Sequence, residues 1–151
     1  GLKVMTTAEI QSRYDITLDN YCKTVNIEGR TMVDMARREI LPAVEAYTQS
    51  LAAALSAKTA AVPALPCSYE KSRIAKLSTL TDAISSAADE LDSILREVHA
   101  FDDVTRASCA MRDRVLPQMS RLRAVCDEAE TLTARSFWPF PTYDDLLFGL
   151  E

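Results

Sequence analysis

Residues Ser68 to Phe101, SYEKSRIAKLSTLTDAISSAADELDSILREVHAF, decide the fold. Ile74, Leu77, Thr81, Ile84, Ala88, Leu91, Leu95 and Val98 follow one another at steps of three and four. That spacing keeps them on one side of an α-helix for about seven turns. Leu80, Ala87, Ile94 and Phe101 widen the stripe at one flanking position, as a core-facing bundle helix requires. The stretch holds no Gly or Pro, so at ~1.5 Å per residue it is roughly 50 Å long and needs covering helices of similar length. The prediction is an all-α fold, an up-down helical bundle of three long helices. A short N-terminal helix precedes them and an aromatic, Pro-rich tail follows.

Outward from this spine, Thr6-Thr7-Ala8-Glu9 reads as a capping box, with Met5 and Ile10 as a hydrophobic staple. A short helix is expected from Thr7 to about Tyr14, with Asp15 to Thr17 as its exit. The next helix is expected from Leu18 to Leu55, carrying Val33, Ala36, Ile40, Val44, Tyr47, Leu51 and Ala54 on its apolar face. Gly29 costs it about 1 kcal/mol relative to Ala. Pro42 removes a backbone donor and predicts a kink near Arg38. Pro63 and Pro66 place a connection over 57–66, with Ser68 as the N-cap of the spine and Glu70 set against its dipole.

After Phe101 no Gly or Pro intervenes, but continuing the same phase would bury Asp102, Thr105, Cys109 and Arg112. A new stripe starts at Val104 and runs through Ser108, Met111, Val115, Leu122, Val125, Ala129 and Leu132. A tight turn at Ala100–Asp103 follows, with Asp102 or Asp103 capping a helix that reaches about Arg135. That helix carries its own internal proline, Pro117, and with it a second expected kink. Its Arg112-Asp113-Arg114-Val115-Leu116-Pro117 parallels Arg37-Arg38-Glu39-Ile40-Leu41-Pro42, which fits a duplicated hairpin and fits chance similarity equally. The tail Phe137-Trp138-Pro139-Phe140-Pro141-Thr142-Tyr143 holds an extended path and concentrates aromatic surface. Trp138, Phe140, Tyr143, Leu147 and Phe148 are therefore the expected docking residues, with Trp138 and Phe140 buried on this bundle or on a neighbour.

Composition limits function. With 48% hydrophobic and 26% charged residues the 151-residue chain is long enough for one well-buried domain. A net charge of −5 argues against nucleic acid and anionic membranes as partners. No apolar run approaches the ~20 residues of a membrane span. Cys22, Cys67, Cys109 and Cys126 form no C-x-x-C pair and read as buried, reduced thiols of a cytoplasmic protein. His99 is the sole histidine. Ala100-Phe101-Asp102 downstream of it does not suit phosphotransfer, and a surface histidine at a helix C-terminus is the better reading. Without a second His no nucleophile has a base, and no Gly-rich phosphate loop exists among three glycines. Arg112, Arg114, Arg121 and Arg123 spread over two solvated faces among acidic residues. No catalytic, cofactor-binding or metal-ligating residue is identified. Gly1 in place of an initiator Met reads as an expression scar ahead of a cut-out fragment, with residues 1–151 as a single helical domain.

Two sets of segments carry a family resemblance. Asn20 to Glu28, Thr31 to Ala36 and Ile40-Leu41-Pro42-Ala43 form the first. Pro66 to Glu70, Arg112-Asp113, Val115-Leu116-Pro117, Trp138 to Tyr143 and Asp145 to Phe148 form the second. In this order they resemble the carboxy-terminal region of type III glutamine synthetases, with the Trp-Pro-Phe-Pro-Thr-Tyr run the most specific. Gly29 stands where the resemblance leads one to expect Ala. The resemblance implies a parent that ligates ammonia to glutamate with ATP and divalent metal, in stacked hexameric rings. Its catalytic motifs lie upstream, so none is carried over. The implied role is a non-catalytic accessory or assembly domain whose partners are the catalytic domain of the same chain and neighbouring subunits. A free-standing helical protein-binding module is the alternative.

Overall fold

The computed structural model describes residues 4–141. Among these it contains three long helices and no strand, as the spacing of apolar residues predicts. The first long helix occupies residues 7–61, the central helix is Ser68–His99, and the third occupies residues 104–132. Successive contacts run antiparallel at each junction. Gly29, Arg37 and Lys58 of the first helix meet Leu95, Asp89 and Glu70 of the central one. Arg114, Arg121 and Lys76 then tie the central and third helices through Glu97, Glu90 and Glu128.

The core follows the central stripe. Leu77, Ile84, Ala88, Leu91 and Leu95 are fully buried, and Val98 very nearly so. Val25, Val33, Ala36, Ile40 and Val44 cover them from the first helix, and Met111, Val115, Leu122 and Ala129 from the third. Ala54, expected on the first helix's apolar face, is exposed instead.

The first helix is not divided. The capping box at its start is present, with Thr6 N–H donating to Glu9 Oε2 (2.7 Å) and Glu9 N–H to Thr6 Oγ1 (3.3 Å). The expected exit at Asp15–Thr17 is absent, because those polar side chains are satisfied inside the helix. Gln11 donates to Asp15 Oδ1 at 2.9 Å, and the Thr17 hydroxyl donates to the Arg13 carbonyl at 2.9 Å. The helix also runs on past Leu55 to Ala61, so the connection shortens to 62–67 and Cys67, not Ser68, is the N-cap of the central helix.

At each internal proline the structure has a π-turn. Ala36–Ile40 precedes Leu41-Pro42, and Met111–Val115 precedes Leu116-Pro117. A proline cannot donate to the carbonyl four residues back, and in the turn just before it the hydrogen bonding widens to i→i−5. Leu41 N–H donates to Ala36 O, and Leu116 N–H donates to Met111 O. The two similar hexapeptides, each with the residue before it, thus share one backbone device and bury equivalent residues, Ala36 with Ile40 and Met111 with Val115.

The turn predicted after the central helix is in place: it ends at His99, and Asp103 caps the third helix by accepting from Thr105 N–H at 3.0 Å. Arg106 lies 4.2 Å over the Phe101 ring beside it. The third helix stops at Leu132, three residues before the expected Arg135, and Arg135–Phe137 form a 3-10 turn.

Candidate docking surface

The exit of the third helix is built before the tail begins. The Thr133 hydroxyl and N–H both donate to the Ala129 carbonyl, at 2.7 and 2.9 Å. Arg73 of the central helix donates to the Leu132 carbonyl at 3.1 Å and to the Tyr69 hydroxyl at 3.3 Å. Its guanidinium also lies 5.3 Å over the Tyr69 ring. A cation against terminal carbonyls complements the helix dipole. Tyr47 of the first helix sits against this cluster. Burial, reinforced by its hydrogen bond with Tyr69, raises its hydroxyl pKa.

Phe137 stacks on that base, its ring 5.3 Å from Tyr47 at 50°. The next residues enter the groove between the first and third helices. Trp138 and Phe140 meet edge to face, with centroids 6.5 Å apart and planes at 76°. Both are half-buried against the core rather than buried. With Pro141 they border an apolar cleft of about 290 Å³ floored by Met32, Met35, Ile40 and Leu122. Tyr143, Leu147 and Phe148, also expected to dock, lie outside the described residues.

The opposite end of the bundle carries a second cleft, of about 270 Å³, where the central helix stops. His99 is exposed there, at the last position of the central helix. Asp19, Cys22 and Lys23 of the first helix face it. This grouping could not be read from the sequence, since Lys23 and His99 are brought together only by the antiparallel packing of their helices. Among the described residues no group of three His, Cys, Asp or Glu is placed to hold a metal ion. No helix of the described residues is long and apolar enough to cross a membrane.

Charge is distributed as bracing between helices. Arg37 donates to Asp89 at 2.7 Å and to Asp92 at 3.1 Å, while Arg96 holds Asp92 from its own helix. Partial burial raises the Asp92 pKa, but the two guanidiniums outweigh it and the net shift is downward. Arg114 binds Glu97 through two bonds of 2.8 and 2.6 Å and lowers the Glu97 pKa. Arg112 pairs with its neighbour Asp113, and Arg121 with Glu90. Together with Arg123 these arginines are solvent-facing, as expected.

Two interior polar groups were not foreseen. Gln118 is buried and donates to the Ala87 carbonyl at 3.0 Å and to Glu90 at 3.2 Å. Glu70 is buried, paired with Lys58 across the 62–67 connection. Nor are all four cysteines buried: Cys67 and Cys126 are, Cys22 is partly so and Cys109 is exposed. Cys109 lies outside the core stripe because the turn at 100–103 resets the helical phase.

The arrangement defines a class: a helical bundle that braces its helices with ion pairs and folds an aromatic tail into a groove. Residues 1–59 match the family model described as the glutamine synthetase C-terminal domain. A glutamine synthetase of Butyrivibrio fibrisolvens is 29% identical over 148 residues, 98% of this chain and 21% of that protein. The type-3 glutamine synthetase of Dictyostelium discoideum is 22% identical over 153 residues, 96% of this chain and 20% of that protein. A glutamine synthetase of Bacteroides fragilis is 22% identical over 152 residues, with 98% and 21% covered. Over nearly its whole length the chain is similar to glutamine synthetases, the type-3 enzyme of Dictyostelium discoideum included. It spans about a fifth of the length of the curated relatives it matches.

Proposed function

We propose that this chain is the non-catalytic accessory and assembly domain at the carboxy end of a type-3 glutamine synthetase. In that reading the parent ligates ammonia to glutamate with ATP and divalent metal in the cytoplasm, and its catalytic residues, nucleotide and metal are held elsewhere in the polypeptide. The observation that carries the reading is coverage: the similarity runs through nearly the whole chain while occupying a fifth of each relative. The structure is consistent in kind, since its apolar cleft and the aromatic residues beside it suit contact with protein. The partners are then the catalytic body of the same polypeptide and neighbouring subunits of a homo-oligomer.

Calorimetric titration of the 151-residue chain with ATP and Mg²⁺ tests the first half of the proposal. The expected result is no binding isotherm, and measurable nucleotide affinity overturns the non-catalytic assignment. Removing the segment from the parent is expected to reduce oligomer size in sedimentation velocity. An unchanged oligomer removes the assembly role.

A further inference from the structure

The first helix begins before its partners do. Ile10, Tyr14, Leu18, Tyr21 and Val25 continue one apolar stripe at steps of four, four, three and four. Burial fades along it: Val25 is 4% exposed, Tyr21 and Leu18 are half-buried, Tyr14 is 54% exposed and Ile10 57%. The central and third helices meet at 100–103, and beyond that level nothing within the described residues covers the stripe. Every residue from Val4 to Tyr14 is exposed. Five of the ten large apolar side chains exposed among the described residues lie between Val4 and Ile16. The overhang is nonetheless a defined helix, closed at its start by the Thr6–Glu9 capping box.

We infer that this overhang, with Ile10 and Tyr14 at its centre, is the seat on which the domain docks against an apolar face of the polypeptide that precedes it. The inference rests on the parent reading given above. Area selects the occupant. A stable complex of free partners buries ~800 Å² on each side, and the two exposed side chains of the stripe, Ile10 and Tyr14, at most ~250 Å² each, fall well short of it. A second copy of the chain is therefore a poor occupant. A tethered body needs far less surface, because the linkage holds it at an effective concentration in the millimolar range. The relatives are about five times as long as this chain, so a parent of that build holds a large body in the same polypeptide.

Hydrogen exchange read by mass spectrometry tests this in the 151-residue chain and in the full polypeptide. Amides of Thr7–Tyr14 are expected to exchange at least tenfold more slowly in the full polypeptide. The double substitution Ile10→Glu/Tyr14→Glu is expected to restore fast exchange there while leaving the melting temperature of the 151-residue chain unchanged. Equal exchange in the two proteins overturns the inference. So does protection in the short chain that grows with its concentration, which would make a second copy the occupant. Glutamine formation by the full polypeptide is assayed separately. Protection without that activity keeps the docking and removes the parent reading; activity without protection does the reverse.

Discussion

Gly29 on the first helix faces Leu95 on the central helix so closely that a β-carbon at Gly29 would lie 3.0 Å from Leu95 Cδ1 and 3.1 Å from Cδ2. The helix is unbroken there, so the glycine serves close approach rather than a turn. Leu95 is fully buried and cannot swing into solvent.

Two effects therefore oppose each other in Gly29→Ala. Helix propensity favours Ala by about 1 kcal/mol, and displacing Leu95 costs a similar amount. The net change in unfolding free energy is expected to be within ~1 kcal/mol of zero, whereas Gly29→Val should destabilise by about 2–3 kcal/mol through overpacking. Urea denaturation measures both. A valine variant as stable as the parent chain would show that the contact is not tight.

The Lys58–Glu70 pair makes stability depend on pH. Lys58 lowers the Glu70 pKa below its ordinary 4.5, and Glu70 raises that of Lys58 above 10.5. Below pH 4.5 the unfolded chain takes up the Glu70 proton first. The carboxylate's contribution is thus present above that pH and lost as pH falls through the folded value. Asp92 and Glu97, also lowered, act with the same sign. The Lys58 contribution is complete below pH 10.5 and disappears only as pH rises through its folded value. Thermal melts between pH 6 and 3 should fall, and Glu70→Gln should make the fall shallower. An identical slope in the variant would remove Glu70 from the account.

Thiol reactivity should sort the four cysteines by environment. Burial pushes the Cys126 pKa up to about 11, with Asp127 adding to the shift, and burial also raises that of Cys22. The thiolate is the reactive species. Alkylation followed by mass spectrometry should modify exposed Cys109 first and Cys22 more slowly. Cys67 and Cys126 should react only in denaturant. Labelling of Cys126 at the rate of Cys109 would contradict the burial described.

The tail offers a direct stability test. A fully buried Phe or Trp loses about 3–5 kcal/mol on truncation to Ala, and Trp138 and Phe140 are each half-buried. The double alanine variant is expected to lose about 3–5 kcal/mol, half of that range from each residue. An unchanged melting curve would mean that the segment does not rest in the groove of the isolated chain.

Much of the architecture was legible because it depends on local pattern. The phase conflict that would have buried Asp102 and Arg112 placed the turn at 100–103, and Thr6 with Glu9 marked the first helix start. The break expected at Asp15–Thr17 failed for a physical reason: short polar side chains mark a helix end or bond back within a helix, and sequence alone does not say which. The prolines were visible, but the π-turns before them were not, since Pro42 and Pro117 fit a kink as readily as an i→i−5 turn.

The all-α class, the spine at Ser68–Phe101, the phase of the third helix and the family resemblance can all be read from the amino-acid order. All of these are carried by neighbours along the chain. Tertiary structure alone decided which distant residues meet: Gly29 with Leu95, Lys58 with Glu70, and Tyr47, Tyr69 and Arg73 beneath Phe137. It also decided where the first helix outruns its partners. Helical periodicity fixes a face, whereas the axial register between helices comes from packing, and that register leaves Ile10 and Tyr14 uncovered.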